Sequence, residues 1–112
     1  MTLATLPSAL SVDPRMIETS AGPLAVFAAG QGRDLPPLVL LHSVNAAASV
    51  AEVAPLFDHW RSDRVVVAFD LPGYGHSDRS DRPYTPRLMT DAVHAVIDQV
   101  RRDTGAAAVD VL

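Results

Sequence analysis

Residues 64–78 read RVVVAFDLPGYGHSD, and this stretch decides the fold class. Residues 64–69 form a mostly apolar, β-branched run, which is typical of a strand buried on both faces of a parallel sheet. The run ends at Asp70, and Pro72, Gly73 and Gly75 then favour a sharp turn away from the strand. In parallel α/β sheets such loops follow the carboxyl ends of the strands, where function is concentrated.

Helices and strands alternate on both sides of this stretch. A second apolar run, residues 37–41, predicts another buried strand, and residues 16–20 and 23–29 around a short turn predict a β-hairpin. Residues 106–112 predict a last strand. The order ββ followed by βαβαβ predicts an α/β fold with a mostly parallel sheet of about five strands and an N-terminal antiparallel hairpin. We expect residues 1–14 to be a flexible leader and residues 15–112 to form the domain.

Two helices are expected between these strands. The first follows Ser49, whose spacing to Glu52 predicts a capping box, with an irregular first turn at Pro55. Its expected buried face consists of Val53, Leu56, Phe57 and Trp60. The second begins after Thr85 as N-cap, with Pro86 in the first position, and ends at Gly105.

Composition excludes several classes of function. The 112 residues carry a net charge of −4, which gives no reason to expect a nucleic-acid or membrane partner. The chain has no cysteine and no lysine, which excludes thiolate metal sites and a P-loop. Asp78 replaces the third glycine of a dinucleotide motif, and the histidines lack the paired spacing of a metal site. We therefore expect no cofactor and no metal. The N-terminus lacks the features of a signal peptide, so a cytoplasmic location is expected.

Two strand-end motifs carry a family resemblance. His42-Ser43 follows the first buried strand, and Asp70, Gly73, Gly75 and Ser77 follow the second in an Asp-x-x-Gly-x-Gly-x-Ser pattern. Together they resemble the α/β-hydrolase superfamily over roughly residues 16–112. The chain departs from the pattern at Ser43, where the family commonly has glycine.

The resemblance implies a role for each loop. The loop after the third strand of that family gives a backbone N–H to the oxyanion hole, and Val44 occupies the matching position. Asn45 is a candidate for binding a substrate oxygen through its side-chain amide. A structural role beside the site is expected for His42, Ser43, Asp70, Gly73, Gly75 and Ser77.

The resemblance also implies what the chain lacks. The nucleophile elbow of the family follows the fifth strand, so the nucleophile (Ser, Asp or Cys), the acid and the catalytic histidine are expected outside these residues. We expect the N-terminal portion of a hydrolase for a small ester, lactone, amide or related substrate, truncated before the elbow and inactive alone. The family strand order 1-2-4-3-5 would leave the last strand at an open edge. The alternative is therefore a non-catalytic remnant or interaction module, with possible self-association through that edge.

Overall fold

The computed structural model describes residues 10–32 and 34–112, which form a five-stranded sheet with helices on both faces. The strands are β1 (Arg15–Thr19), β2 (Gly22–Ala29), β3 (Leu38–Leu40), β4 (Val66–Phe69) and β5 (Asp110–Val111). The helices are a 3₁₀ turn (Val50–Val53), α1 (Ala54–Trp60) and α2 (Pro86–Thr104).

The sheet has the order β1-β2-β4-β3-β5 and mixes two kinds of pairing. The hairpin strands β1 and β2 pair antiparallel, and β2 also pairs antiparallel with β4. The strands β4, β3 and β5 run parallel to one another. This arrangement confirms the predicted α/β fold with its N-terminal hairpin and the strand order that the resemblance implied.

Alternate residues of the central strand β4 enter two separate cores, as the period of two of a strand requires. Val67 and Phe69 pack under the apolar stripe of α2, which consists of Leu88, Ala92, Val96 and Val100. Val66 and Ala68 pack on the other face with Val50, Val53 and Phe57. Burial on both faces explains why the strand sequence is continuously apolar.

The long helix begins and ends where the sequence predicts. The Thr85 hydroxyl accepts a hydrogen bond from the Leu88 N–H at 3.1 Å, and Pro86 occupies the first turn. Gly105 ends the helix with φ +73°, a left-handed conformation that favours glycine.

The first helix differs from its prediction in two respects. Ser49 caps the 3₁₀ turn through Ala51 N–H, but the Glu52 carboxylate contacts Ser43 and so does not close a capping box. The α-helix itself starts only at Ala54, because Pro55 must occupy its first turn. Leu56, which was expected to be buried, is 38% exposed, because Phe57 takes the inward position.

Two segment boundaries also need correction. The last strand is shorter than residues 106–112, because residues 106–109 connect the end of α2 to the sheet before pairing starts. The predicted leader, residues 1–14, overlaps the packed domain at its C-terminal end, and its flexibility stays a prediction. Leu10 is buried in the core beneath α1, and Arg61 donates a hydrogen bond to the Ser11 hydroxyl at 2.7 Å. Residues 1–9 of that leader lie outside the described residues.

Candidate functional site

The two motif-bearing loops lie side by side at one edge of the sheet. They meet there because β3 and β4 are parallel neighbours, so their carboxyl ends coincide. A direct hydrogen bond joins them: the Leu71 N–H donates to Nε2 of His42 at 3.0 Å.

His42 is 5% exposed, and both of its ring nitrogens are engaged. Nδ1 lies 2.6 Å from the Ser43 carbonyl oxygen, while Nε2 accepts from Leu71. Only the neutral ring with its proton on Nδ1 satisfies both bonds. His42 therefore has no ring nitrogen available for proton transfer to a substrate, and its contacts are those of a residue that holds the loop.

The peptide unit between Ser43 and Val44 is held at its carbonyl, and the peptide unit that follows it is held as well. The Ser43 carbonyl oxygen accepts from His42, and the next carbonyl, that of Val44, accepts from the Tyr74 hydroxyl at 2.9 Å. The C=O and N–H of a trans peptide point in opposite directions, so the Val44 N–H points away from His42. Within residues 10–32 and 34–112 this N–H has no hydrogen-bonding partner.

Glu52 holds the same loop through two hydrogen bonds. Its carboxylate accepts from the Ser43 N–H at 2.8 Å and from the Ser43 hydroxyl at 2.7 Å. These two bonds, from the hydroxyl first and then the amide, hold the pKa of Glu52 below its ordinary value. No non-glycine residue of the described chain has a positive φ, so the loop accommodates Ser43 without left-handed backbone.

Asn45 is bound within its own loop. Its side-chain nitrogen donates to the Ser43 hydroxyl at 2.7 Å, and its side-chain oxygen accepts from the Ala47 N–H at 3.2 Å. A contact between Asn45 and a substrate stays a prediction, and it would compete with these local bonds.

Asp70 ties the second loop to the first helix. It is fully buried, and its carboxylate accepts from the Val50 N–H and the His76 N–H, both at 3.0 Å. A Cβ on Gly75 would lie 2.2 Å from an Asp70 oxygen, so this position excludes any side chain. The Ser77 hydroxyl accepts from Ala25 N–H at 2.9 Å and donates to the Asp70 carbonyl, which anchors the end of the loop to β2.

A cavity of about 770 Å³ opens beside these loops. Its lining includes Val44, Pro72, Tyr74, Arg79, Tyr84 and Met89. Gly73 also lines it, with φ +88°, and a Cβ there would lie 3.1 Å from the Tyr84 ring. The cavity therefore adjoins the predicted oxyanion donor.

Three residues that contribute to the site are not indicated by any pattern in the sequence. The sequence predicts a capping box for Glu52, because Ser49 lies three residues before it. The contact of Glu52 with Ser43 arises only in the folded chain. Tyr74 and Arg79 lie in a loop whose glycines explain its geometry, so nothing in the local pattern singles out their side chains. Among the described residues, no group of three His, Asp or Glu side chains is placed to hold a metal ion.

The sequence matches no family model and no curated protein sequence. Solved structures give clear matches. An α/β hydrolase from Sphaerobacter thermophilus DSM 20745 is 28% identical, with a TM-score of 0.66 over 87% of this chain and 35% of that one. An α/β-hydrolase fold protein from Burkholderia ambifaria is 25% identical, with a TM-score of 0.66 over 76% of this chain and 30% of that one. The chain belongs to the α/β-hydrolase fold superfamily.

The fold also matches a solved structure of lower sequence identity. The epoxide hydrolase VrEH1 from Vigna radiata is 22% identical, with a TM-score of 0.73 over 88% of this chain and 30% of that one. This α/β-hydrolase fold chain thus spans about a third of the length of the structures it matches. No helix in the described part of the chain is both long and apolar enough to cross a membrane.

Proposed function

We propose that the chain supplies the oxyanion side of the active site of a hydrolase for a small ester, lactone, amide or related substrate. The Val44 N–H is the donor to the oxygen that becomes negative when a nucleophile attacks the carbonyl. The observation that carries the proposal is the Ser43–Val44 peptide, whose carbonyl is held by His42 while its N–H has no partner in the described chain.

The Val44 N–H can stabilise the transition state because its peptide is fixed before the reaction. A donor that is already oriented needs no reorganisation when charge develops, and one such donor contributes about 3–4 kcal/mol to transition-state stabilisation. A hydrogen bond to the carbonyl end of a peptide also polarises its N–H. His42, Ser43 and Glu52 act in this proposal as positioning residues, and none of them touches the substrate.

The position of β5 supports a nucleophile on the residues after it. The Leu41 N–H donates to the Leu112 carbonyl at 2.8 Å, so Leu112 lies beside the residue that precedes His42. A segment that continues from Leu112 would begin next to the oxyanion loop. In the complete protein we therefore place the nucleophile, the acid and the catalytic histidine after Leu112, and we expect residues 1–112 alone to be inactive.

The test is to read the coding frame beyond Leu112 and to assay the product of the complete open reading frame. Suitable substrates are 4-nitrophenyl acetate, γ-butyrolactone and 4-nitroacetanilide, with a matched preparation of residues 1–112. We expect a nucleophile elbow with Ser, Asp or Cys directly after Leu112 and turnover by the complete product only. A frame that ends at Leu112, or a complete product that matches buffer on all three substrates, contradicts the proposal.

One observation favours a second candidate, an interaction module. The strand β5 is at the end of the sheet order, and Val111 and Leu112 are 47% and 61% exposed. An open strand edge with apolar side chains can pair with a second copy of the chain. Self-association of residues 1–112 through β5 follows from this candidate.

A further inference from the structure

We infer that the cavity beside the oxyanion loop selects substrates with an apolar body and an anionic group, with Arg79 as the residue that binds the anion. The inference rests on the proposed function for the identity of the ligand as a substrate. It concerns the selectivity of the same cavity.

The cavity lining is largely apolar, and the hydroxyl groups of its two tyrosines already form hydrogen bonds within the protein. The Tyr74 hydroxyl donates to the Val44 carbonyl, and the Tyr84 hydroxyl donates to the Ser80 carbonyl. The Thr85 hydroxyl accepts from the Leu88 N–H. The rings, with Pro72 and Met89, form a wall suited to an aromatic or aliphatic body.

Arg79 is the one charged residue among those that line the cavity, and it is exposed. Within the described chain it has no ion-pair partner. Its neighbour Asp78 forms no ion pair with it: that carboxylate accepts from the Ser80 N–H and hydroxyl and pairs with Arg82 at 3.2 Å. The bonds with Ser80 and Arg82, the Ser80 amide first, also hold the pKa of Asp78 below its ordinary value, so this carboxylate is ionised when it pairs with Arg82.

The cavity therefore offers hydrogen-bond donors and positive charge, with no carboxylate in its lining. A substrate carbonyl would use the Val44 N–H, and a carboxylate elsewhere on the same molecule would use the guanidinium. A guanidinium binds a carboxylate through two parallel hydrogen bonds, which neutral groups cannot reproduce. A cationic substrate would be repelled.

Binding of matched probes tests the inference without turnover. The product of the complete open reading frame is titrated with 2-naphthoate and with 2-naphthamide, which has the same rings and no charge. We expect naphthoate to bind about tenfold more tightly, the size of one charge-assisted hydrogen bond. Arg79→Gln should abolish the difference. Arg101→Gln, which removes the same charge from the far end of α2, should retain it.

Equal affinities for the two probes, or a preference that persists in Arg79→Gln, would overturn the inference. A pair of ester substrates distinguishes a failure of this inference from a failure of the proposed function. The pair is mono-4-nitrophenyl glutarate and its neutral methyl ester, and the two are compared by kcat/KM. Turnover of both esters at equal rates overturns the anion selectivity and leaves the hydrolase intact. Selective naphthoate binding without turnover of either ester supports the anion site and contradicts the hydrolase.

Discussion

The carboxylate of Glu52 accepts two hydrogen bonds from Ser43, one from its backbone N–H at 2.8 Å and one from its hydroxyl at 2.7 Å. Ser43 is the residue at which the sequence departs from the glycine common in the superfamily. The carboxylate thus engages the hydroxyl that the departure introduces. The two bonds hold the backbone and side chain of the residue directly before Val44, whose N–H is the proposed oxyanion donor, while His42 holds the Ser43 carbonyl.

Replacing Glu52 should therefore affect the chemical step. In Glu52→Gln the amide oxygen can still accept from the Ser43 N–H and the NH2 group can at most donate to the Ser43 hydroxyl, so both bonds lose the charge of the carboxylate that strengthens them. We expect kcat of the complete product to fall several-fold with little change in KM, since the donor acts mainly in the transition state. Glu18→Gln, an exposed change on β1, is the control. A KM effect alone would show that Glu52 shapes ground-state binding instead.

The same contact predicts an acid-sensitive component of stability. The pKa of Glu52 is lowered in the folded chain, chiefly by the Ser43 hydroxyl. Its stabilising contribution is therefore complete above the unfolded pKa of about 4.3 and is lost as the pH falls through the folded pKa. Urea unfolding between pH 7 and pH 3 should show a steeper acid loss in the native chain than in Glu52→Gln. Parallel curves would mean that the contact is not coupled to folding.

His42→Phe should loosen the two loops from each other. The substitution keeps a ring in the buried position but leaves the Leu71 N–H and the Ser43 carbonyl without their partner. An unsatisfied buried donor costs about 1–3 kcal/mol, and we expect the free energy of unfolding to fall by that amount. His94→Phe, an exposed change on α2, is the matched control. If both variants unfold at the same urea concentration as the native chain, the His42 bridge does not stabilise the fold.

Gly75→Ala and Gly105→Ala should separate steric exclusion from backbone strain. Both glycines have positive φ, which costs an alanine about 1–2 kcal/mol. A Cβ at Gly75 would also lie 2.2 Å from the Asp70 carboxylate, whereas one at Gly105 has open space within 4 Å. Thermal unfolding should therefore show a clearly larger loss for Gly75→Ala. Equal losses would indicate that Asp70 can move away, which would contradict its role as a fixed anchor.

Self-association through β5 is tested by Val111→Lys in residues 1–112. A charge on an edge strand opposes pairing with another chain. Sedimentation velocity should show larger species for the native sequence and a smaller fraction of them for Val111→Lys. Arg101→Lys, which preserves charge away from the edge, should behave like the native sequence. A monomer at all concentrations would contradict the interaction-module candidate.

The sequence predicted the fold well because its signals are local. The apolar runs, the Thr85 and Gly105 caps and the hairpin each depend on neighbouring residues, and the structure confirms them. The contacts that arrange the site depend on distant residues instead. Glu52 contacts Ser43 only because the 3₁₀ turn places it beside the loop. A helical capping pattern in the sequence does not indicate this contact. Likewise, the length of β5 is set by its pairing with β3. Arg64 binds the Pro36 carbonyl and the Asp110 carboxylate, and so links the β3–β5 pair to the rest of the sheet.

The most direct test of the proposed oxyanion donor compares Val44→Pro with Val44→Ala in the product of the complete open reading frame. Proline removes the N–H, whereas alanine keeps it, and Val44 is 65% exposed, so neither change disturbs the core. Steady-state kinetics on 4-nitrophenyl acetate should show kcat for Val44→Pro lower by about 10²–10³, the usual loss for one oxyanion donor, and a near-native kcat for Val44→Ala. Equal kcat values for two folded variants would contradict the assignment of Val44.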